Sequence, residues 1–144
     1  MKIYLNLLNI ILQCLNTFLE DMESYKQAPW QNPVEDTSTY LVFEDKFPVT
    51  EGHLLFVPKN KGLSALTDCY RAATLKGMRL VEDGVCAAYN IGQNIGEHAG
   101  QTVMWPHVHL IPRTEGDLGR YENGTPYDPQ GGVRNIIPDK GKYK

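Results

Sequence analysis

The stretch 102–111 constrains this chain more than any other part of it. It reads Thr-Val-Met-Trp-Pro-His-Val-His-Leu-Ile. Side chains on an extended backbone alternate between two faces. Met104, Val108 and Leu110 then share one face, and all three are apolar, as a face packed on a core must be. Trp105, His107 and His109 share the other. Such a strand requires a sheet with one buried face, and it sets two imidazoles side by side on the opposite one. Pro106 has no N–H for a ladder, which predicts an edge strand or a bulge at that point.

Shorter signals supply the rest. Residues 40–43 and 53–57 read as strands, with a turn at Glu44, Asp45 and Lys46 between them and Pro58 as a stop. The segment 27–38 contains Pro29 and Pro33 and reads as a loop. Leu66, Tyr70, Ala73, Gly77 and Val81 recur at helical spacing, which predicts one long helix from Ser64 that ends at Gly84. Residues 85–89 read as a strand, 92–100 as a glycine-rich loop and 102–111 as the last strand. Strands around one long helix predict an α+β fold with a mostly antiparallel sheet.

A chain of 144 residues is long enough to bury a core without disulfides or metal. Its organisation reads as an N-terminal helical extension and loop (1–37), a core domain (38–117) and a tail rich in Gly, Pro and charge (118–144). In the extension, Leu5, Leu8, Leu12, Leu15 and Leu19 oppose Asn6, Asn9, Gln13 and Asn16. That pattern predicts a peripheral amphipathic helix over 3–19. It is too short and too polar for a membrane span. Glu20, Asp21 and Glu23 stand where a signal peptide needs small residues, and Met22 is an alternative start.

The net charge is −3, and no basic stripe is present, which argues against a long nucleic acid as partner. Small anions remain open as ligands, since backbone amides hold them without net positive charge. Cys14, Cys69 and Cys86 are odd in number and far apart. They support neither a zinc ribbon nor a disulfide framework, and read as inert thiols in a reducing cytoplasm.

The histidine pair admits three chemistries. Two imidazoles can be structural. They can hold zinc or iron with a third ligand such as His53. They can act as nucleophile or acid–base, because a neutral imidazole attacks without a separate base. The positions where a cupin-type metal site needs its Glu and Gly hold Arg113, Thr114 and Gln101, so no metal is assigned. The preceding loop has Gly92, Gly96 and Gly100, a spacing that exposes backbone N–H groups suited to phosphate oxygens. It lacks the Lys-Ser/Thr of a P-loop. His98 reads as a solvated loop residue.

Together these blocks resemble the histidine-triad (HIT) hydrolases and transferases. The resemblance is carried by Asn94, by the run 99–103 (Ala-Gly-Gln-Thr-Val), by the His-x-His, by Ile111-Pro-Arg, by Phe43-Glu-Asp with Pro48, and by the run 52–59 (Gly-His-Leu-Leu-Phe-Val-Pro-Lys). It covers about residues 38–117. The run from Gly131 to Lys140 also looks like the tails of some microbial and phage members. The resemblance implies a HIT-like fold and hydrolysis or transfer at the α-phosphate of nucleotides. Dinucleoside polyphosphates such as diadenosine tetraphosphate, and nucleoside phosphoramidates, are the implied substrates, with no cofactor. His107 falls at the nucleophile position and would carry a covalent nucleotidyl group. His109 would contact phosphate, Asp45 the ribose hydroxyls, and Phe43 would lie near the base pocket. His53, Asn94, Gly100, Gln101 and Thr102 fall at or near the phosphate site. The resemblance also implies a cytoplasmic homodimer. Trp105 is the departure, because the family usually has histidine there. It is either a packing residue or a ring stacked as a gate over the ligand. The alternative it raises is a nucleotide-binding module with little or no catalysis.

Overall fold

The computed structural model describes residues 22–127 and 131–137. The amphipathic helix expected over 3–19, and Cys14, lie outside them. Among the described residues, five strands form one sheet: β1 (Glu35–Asp36), β2 (Tyr40–Glu44), β3 (Leu54–Pro58), β4 (Ala88–Gly92) and β5 (Val108–Arg113). Their order is β1-β2-β3-β5-β4, and every neighbouring pair is antiparallel. One long helix, α1 (Leu63–Glu82), connects β3 to β4. The expected class, α+β with one long helix on an antiparallel sheet, is the one observed. Strand β1 is a short addition inside the stretch read as loop.

The last strand begins later than its alternation predicts. Val108 pairs with Phe56. Continued in that register, Pro106 would face Pro58, and neither has an N–H to exchange. The ladder stops there, so residues 102–107 are irregular. β5 is also a central strand, not an edge; Pro106 simply precedes it. Pro112, inside β5, is tolerated because β3 has already ended beside it, and its carbonyl accepts the Thr50 hydroxyl at 2.6 Å.

Strand β4 is displaced as well, from the expected 85–89 to Ala88–Gly92. The N–H groups of Val85 and Cys86 both reach the Leu80 carbonyl. They close the end of α1 and are unavailable to a sheet. Gly84 adopts φ +70° and stops the helix as expected.

The line that α1 buries is Ala65, Cys69, Ala73 and Gly77, whereas Tyr70 and Val81 stay well exposed. Small residues at every fourth position let the helix lie close on the sheet. At Gly77 an added Cβ would stand 2.8 Å from the Tyr89 ring. Beneath α1 the sheet contributes Val42, Phe56, Val108 and Leu110. Its opposite face contributes Leu41, Phe43, Leu55 and Val57, packed with Trp105 and Ala28. Met22, Tyr25 and Trp30, from the segment ahead of β1, pack over that second cluster.

Candidate active site

The alternation of β5 puts Val108 and Leu110 under α1 and turns His109 and Ile111 to the other face; His107 joins them just ahead of the strand. His107 is 6% exposed. Its Nδ1 lies 2.8 Å from the Trp105 carbonyl. A carbonyl only accepts, so Nδ1 carries the proton and donates it, and Nε2 keeps a lone pair. Among the described residues no buried side-chain nitrogen or oxygen lacks a partner. Nε2 of His107, with no hydrogen bond of its own, therefore reaches accessible surface.

His53 immediately precedes β3, where Leu55 pairs with His109. Its Nδ1 accepts the Val49 backbone N–H at 3.1 Å, so a neutral His53 carries its proton on Nε2. That atom lies 2.9 Å from His109 Nδ1 and 3.5 Å from Asp45 Oδ2. The shorter contact is the hydrogen bond. His109 then carries its own proton on Nε2. The rings of His107 and His109 meet edge to face, 5.0 Å apart. Asp45 caps its turn by accepting the Phe47 N–H at 2.8 Å.

Burial lowers the pKa of all three imidazoles. For His53 and His107 desolvation outweighs the opposing effects of Asp45 and, at His107, of the Trp105 carbonyl. His109 is pushed down to about 4, by burial first and then by His107 and His53. At pH 7 the cluster is neutral, the state in which an imidazole is a nucleophile.

The remaining sequence-predicted residues divide. Asp45, His53, Asn94 and His109 line a cleft of about 600 Å³. Phe43 does not: it is buried in the core, with the Trp30 ring 6.1 Å away. Gln101 staples its own loop, accepting the Gly96 N–H at 2.8 Å and donating to the Val103 carbonyl at 2.9 Å. Asn94 donates to the Gly100 carbonyl at 3.4 Å, and Gly100 takes the left-handed φ of +84° that a glycine allows. Thr102 and His98 are exposed.

Trp105 is not a gate. It is 2% exposed, its indole N–H donates to the Pro58 carbonyl at 2.8 Å, and Tyr25 packs edge-on against it. Of its two expected roles it has the packing one. The ring over the site is Trp30, which meets the His107 ring edge-on at 5.0 Å. Sequence reasoning missed Trp30 because it stands in a proline-containing stretch without periodicity. It also missed the far wall of the cleft, made by Leu118, Val133 and Ile136. That wall is tied down by Arg113, which pairs with both Asp117 oxygens at 2.6 and 2.8 Å and donates to the Gly131 carbonyl at 2.7 Å. The spacing of Arg113 and Asp117 was the available signal.

The group able to hold a metal differs from the one considered on sequence. Asp45, His53 and His109 bring ligand atoms within 4.8 Å of one another, a donor set that suits zinc. His107 is outside it, its Nδ1 committed to Trp105.

Residues 30–116 match the HIT domain family, and the chain belongs to that family. An uncharacterized HIT-like protein of Borreliella burgdorferi is 31% identical over 69% of this chain and 77% of its own length. The asymmetrical bis(5'-nucleosyl)-tetraphosphatase of Schizosaccharomyces pombe is 36% identical over 57% of this chain, which spans about half (49%) of that protein. The adenosine 5'-monophosphoramidase of Candida albicans is 34% identical over 60% of this chain and 63% of its own length. Among solved structures, a zinc-bound histidine triad family protein from Mycobacterium smegmatis superposes with a TM-score of 0.56 at 26% identity, covering 64% of this chain and 71% of that one.

Proposed function

We propose that the protein hydrolyses or transfers nucleotides at their α-phosphate, through a covalent nucleotidyl group on His107. The observation that carries this reading is the bond from His107 Nδ1 to the Trp105 carbonyl at 2.8 Å. It orients the ring and leaves Nε2 as the attacking atom. A backbone carbonyl does this whatever side chain residue 105 carries, so the replacement of histidine by Trp105 does not remove it.

Nε2 attacks the α-phosphorus. A P–N bond forms, and the bond from phosphorus to the leaving group breaks with its electron pair, the leaving group gaining a proton from solvent. Water then attacks the same phosphorus, a P–O bond forms as the P–N bond breaks, the water's proton passes to solvent, and Nε2 recovers its lone pair. His109, with its Nε2–H free to donate, stabilises the charge on a phosphate oxygen; such a donor is worth about 10²–10³ in rate. Asp45 holds the ribose hydroxyls, and Asn94 and the Gly100-Gln101-Thr102 loop border the phosphates. Two relatives are named as a dinucleoside tetraphosphatase and an adenosine monophosphoramidase, which supports diadenosine tetraphosphate and adenosine phosphoramidate as the substrates to try. The same reading includes a homodimer, for which the outer edge of β4 is available, with no strand beside it among the described residues.

The test is intact-mass spectrometry with nucleotide chromatography on wild type and His107→Ala. Mononucleotide release and an adenylyl adduct in wild type only are expected. Binding without product or adduct in wild type would overturn the mechanism in favour of a nucleotide-binding module. Sedimentation at micromolar concentration tests the dimer, and a single monomeric species would refute it.

A further inference from the structure

The Trp105 carbonyl that holds His107 has no place in the sheet. It lies three residues ahead of β5, beyond the last β3–β5 pair, Phe56 with Val108. A catalytic ring hung from an unsupported loop carbonyl would swing with the loop. One interaction of this chain prevents that. The Pro58 carbonyl points toward β5, where the next ladder partner would be the N–H of residue 106. Residue 106 is proline, so that bond cannot form. The Trp105 indole N–H takes the vacant place at 2.8 Å. The indole is clamped in turn by Tyr25 at its edge and by Lys61 Nζ, 5.4 Å above its ring. Pro106 fixes its own φ and confines Trp105 to extended backbone. The run from Trp105 to His107 is therefore a stiff bracket, anchored on β3 at one end and carrying the imidazole at the other.

We propose that Trp105 is a positioning residue: its indole replaces the ladder bond that two facing prolines cannot make, and so fixes the carbonyl that sets the tautomer and aim of His107. This rests on the reading of His107 as nucleophile for its kinetic consequence, but not for its structural one.

The experiment compares full-length wild type, Trp105→Phe and Trp105→Phe/Pro106→Ala. Histidine ¹⁵N spectra report the tautomer, and steady-state kinetics on adenosine phosphoramidate report the chemistry. Trp105→Phe keeps an aromatic ring and loses the N–H. His107 is expected to lose its single Nδ1–H form, and kcat to fall about 10- to 100-fold, the scale of a misaimed reactive group, with KM within about twofold. Adding Pro106→Ala supplies a backbone N–H opposite Pro58, and both the tautomer and kcat are expected to recover. A purely structural role predicts a lower melting temperature with tautomer and kcat unchanged, and that result would overturn the proposal. If Trp105→Phe does not fold, the benzothienyl analogue of tryptophan at position 105 keeps the ring shape, removes only the N–H, and decides on the same readouts. If wild type does not turn over, the reading of His107 as nucleophile fails, while the tautomer comparison still decides the role of Trp105.

Discussion

Val108 and Leu110 are fully buried beneath α1, whereas His107 and His109, one residue away from them, look out on a face closed by rings from segments without regular structure. The first face is sealed by repetition. Small residues every fourth position on α1 meet aliphatic residues every second position on the sheet, and each contact follows from a period. The second is sealed by single events: Trp30 laid against His107, the Trp105 indole on Pro58, His53 on His109. Repetition makes a dry layer that tolerates no charge. Single events make a half-closed layer that keeps imidazoles neutral while leaving a lone pair accessible. One strand thus holds up the fold with one set of side chains and offers chemistry with the other.

The division is open to breakage. His107→Ala should lower kcat by about 10³-fold or more while leaving the urea midpoint near that of wild type; retained turnover would place the chemistry elsewhere. Leu110→Ala, on the opposite face, should do the reverse. It should cost about 2–5 kcal/mol in urea denaturation and leave kcat of the folded fraction unchanged. A comparable loss of kcat would show that the two faces are not independent.

Acid should strain the histidine face first. His109 takes up its proton near pH 6.5 when unfolded but only at about 4 when folded. Between those values the unfolded chain binds more protons, so stability is full above pH 6.5 and is lost as pH falls toward 4. Thermal melts across that range should decline, and His109→Asn should flatten the decline. His53 and His107, whose pKa values burial also lowers, leave a residual slope; a decline as steep in His109→Asn as in wild type would assign it to other groups.

A smaller effect is expected on the helix side at Gly77→Ala, whose Cβ would lie 2.8 Å from the Tyr89 ring. Overpacking costs about 1–3 kcal/mol and is partly offset by about 1 kcal/mol of helix propensity. Tyr89→Leu in the same chain should relieve it, as chemical denaturation would show. The subtlest change is expected from Trp30→Ala. Burial holds the pKa of His107 down, and Nε2 attacks only when unprotonated, so the rate falls at low pH. Opening the ring's cover should move that acid limb to higher pH. An unmoved limb would mean that Trp30 does not dry the site.

The sequence made the periodic half legible. The alternation of Val108, His109 and Leu110, the single helix and its stop at Gly84 follow from repeating patterns; which line of the helix is buried, Ala65 and Cys69 rather than Tyr70 and Val81, depends on how closely it lies on the sheet. The start of β5 was misplaced because the fault lies in a pairing: Pro106 ends the ladder only because Pro58 faces it, and register is invisible in one strand. Strand β4 was misplaced because Leu80, at the end of the helix, claims the N–H groups of Val85 and Cys86. In the candidate site, the family resemblance singled out Asp45, His53 and His109 one by one, but not their meeting in a single cluster. The burial of Phe43, the packing of Trp105 and the place of Trp30 were not, since each depends on one contact between segments far apart in the chain.

The chain has two tryptophans, and they divide between the core and the reaction centre. Trp105, sealed and hydrogen-bonded to backbone, should emit to the blue and follow the packing of the domain, its anchor on Pro58 included. Trp30, half open and against the imidazole of His107, is placed to be quenched when that ring gains a proton and to change colour when a ligand displaces water around it. The protein thus carries an optical gauge of its own site beside an internal standard.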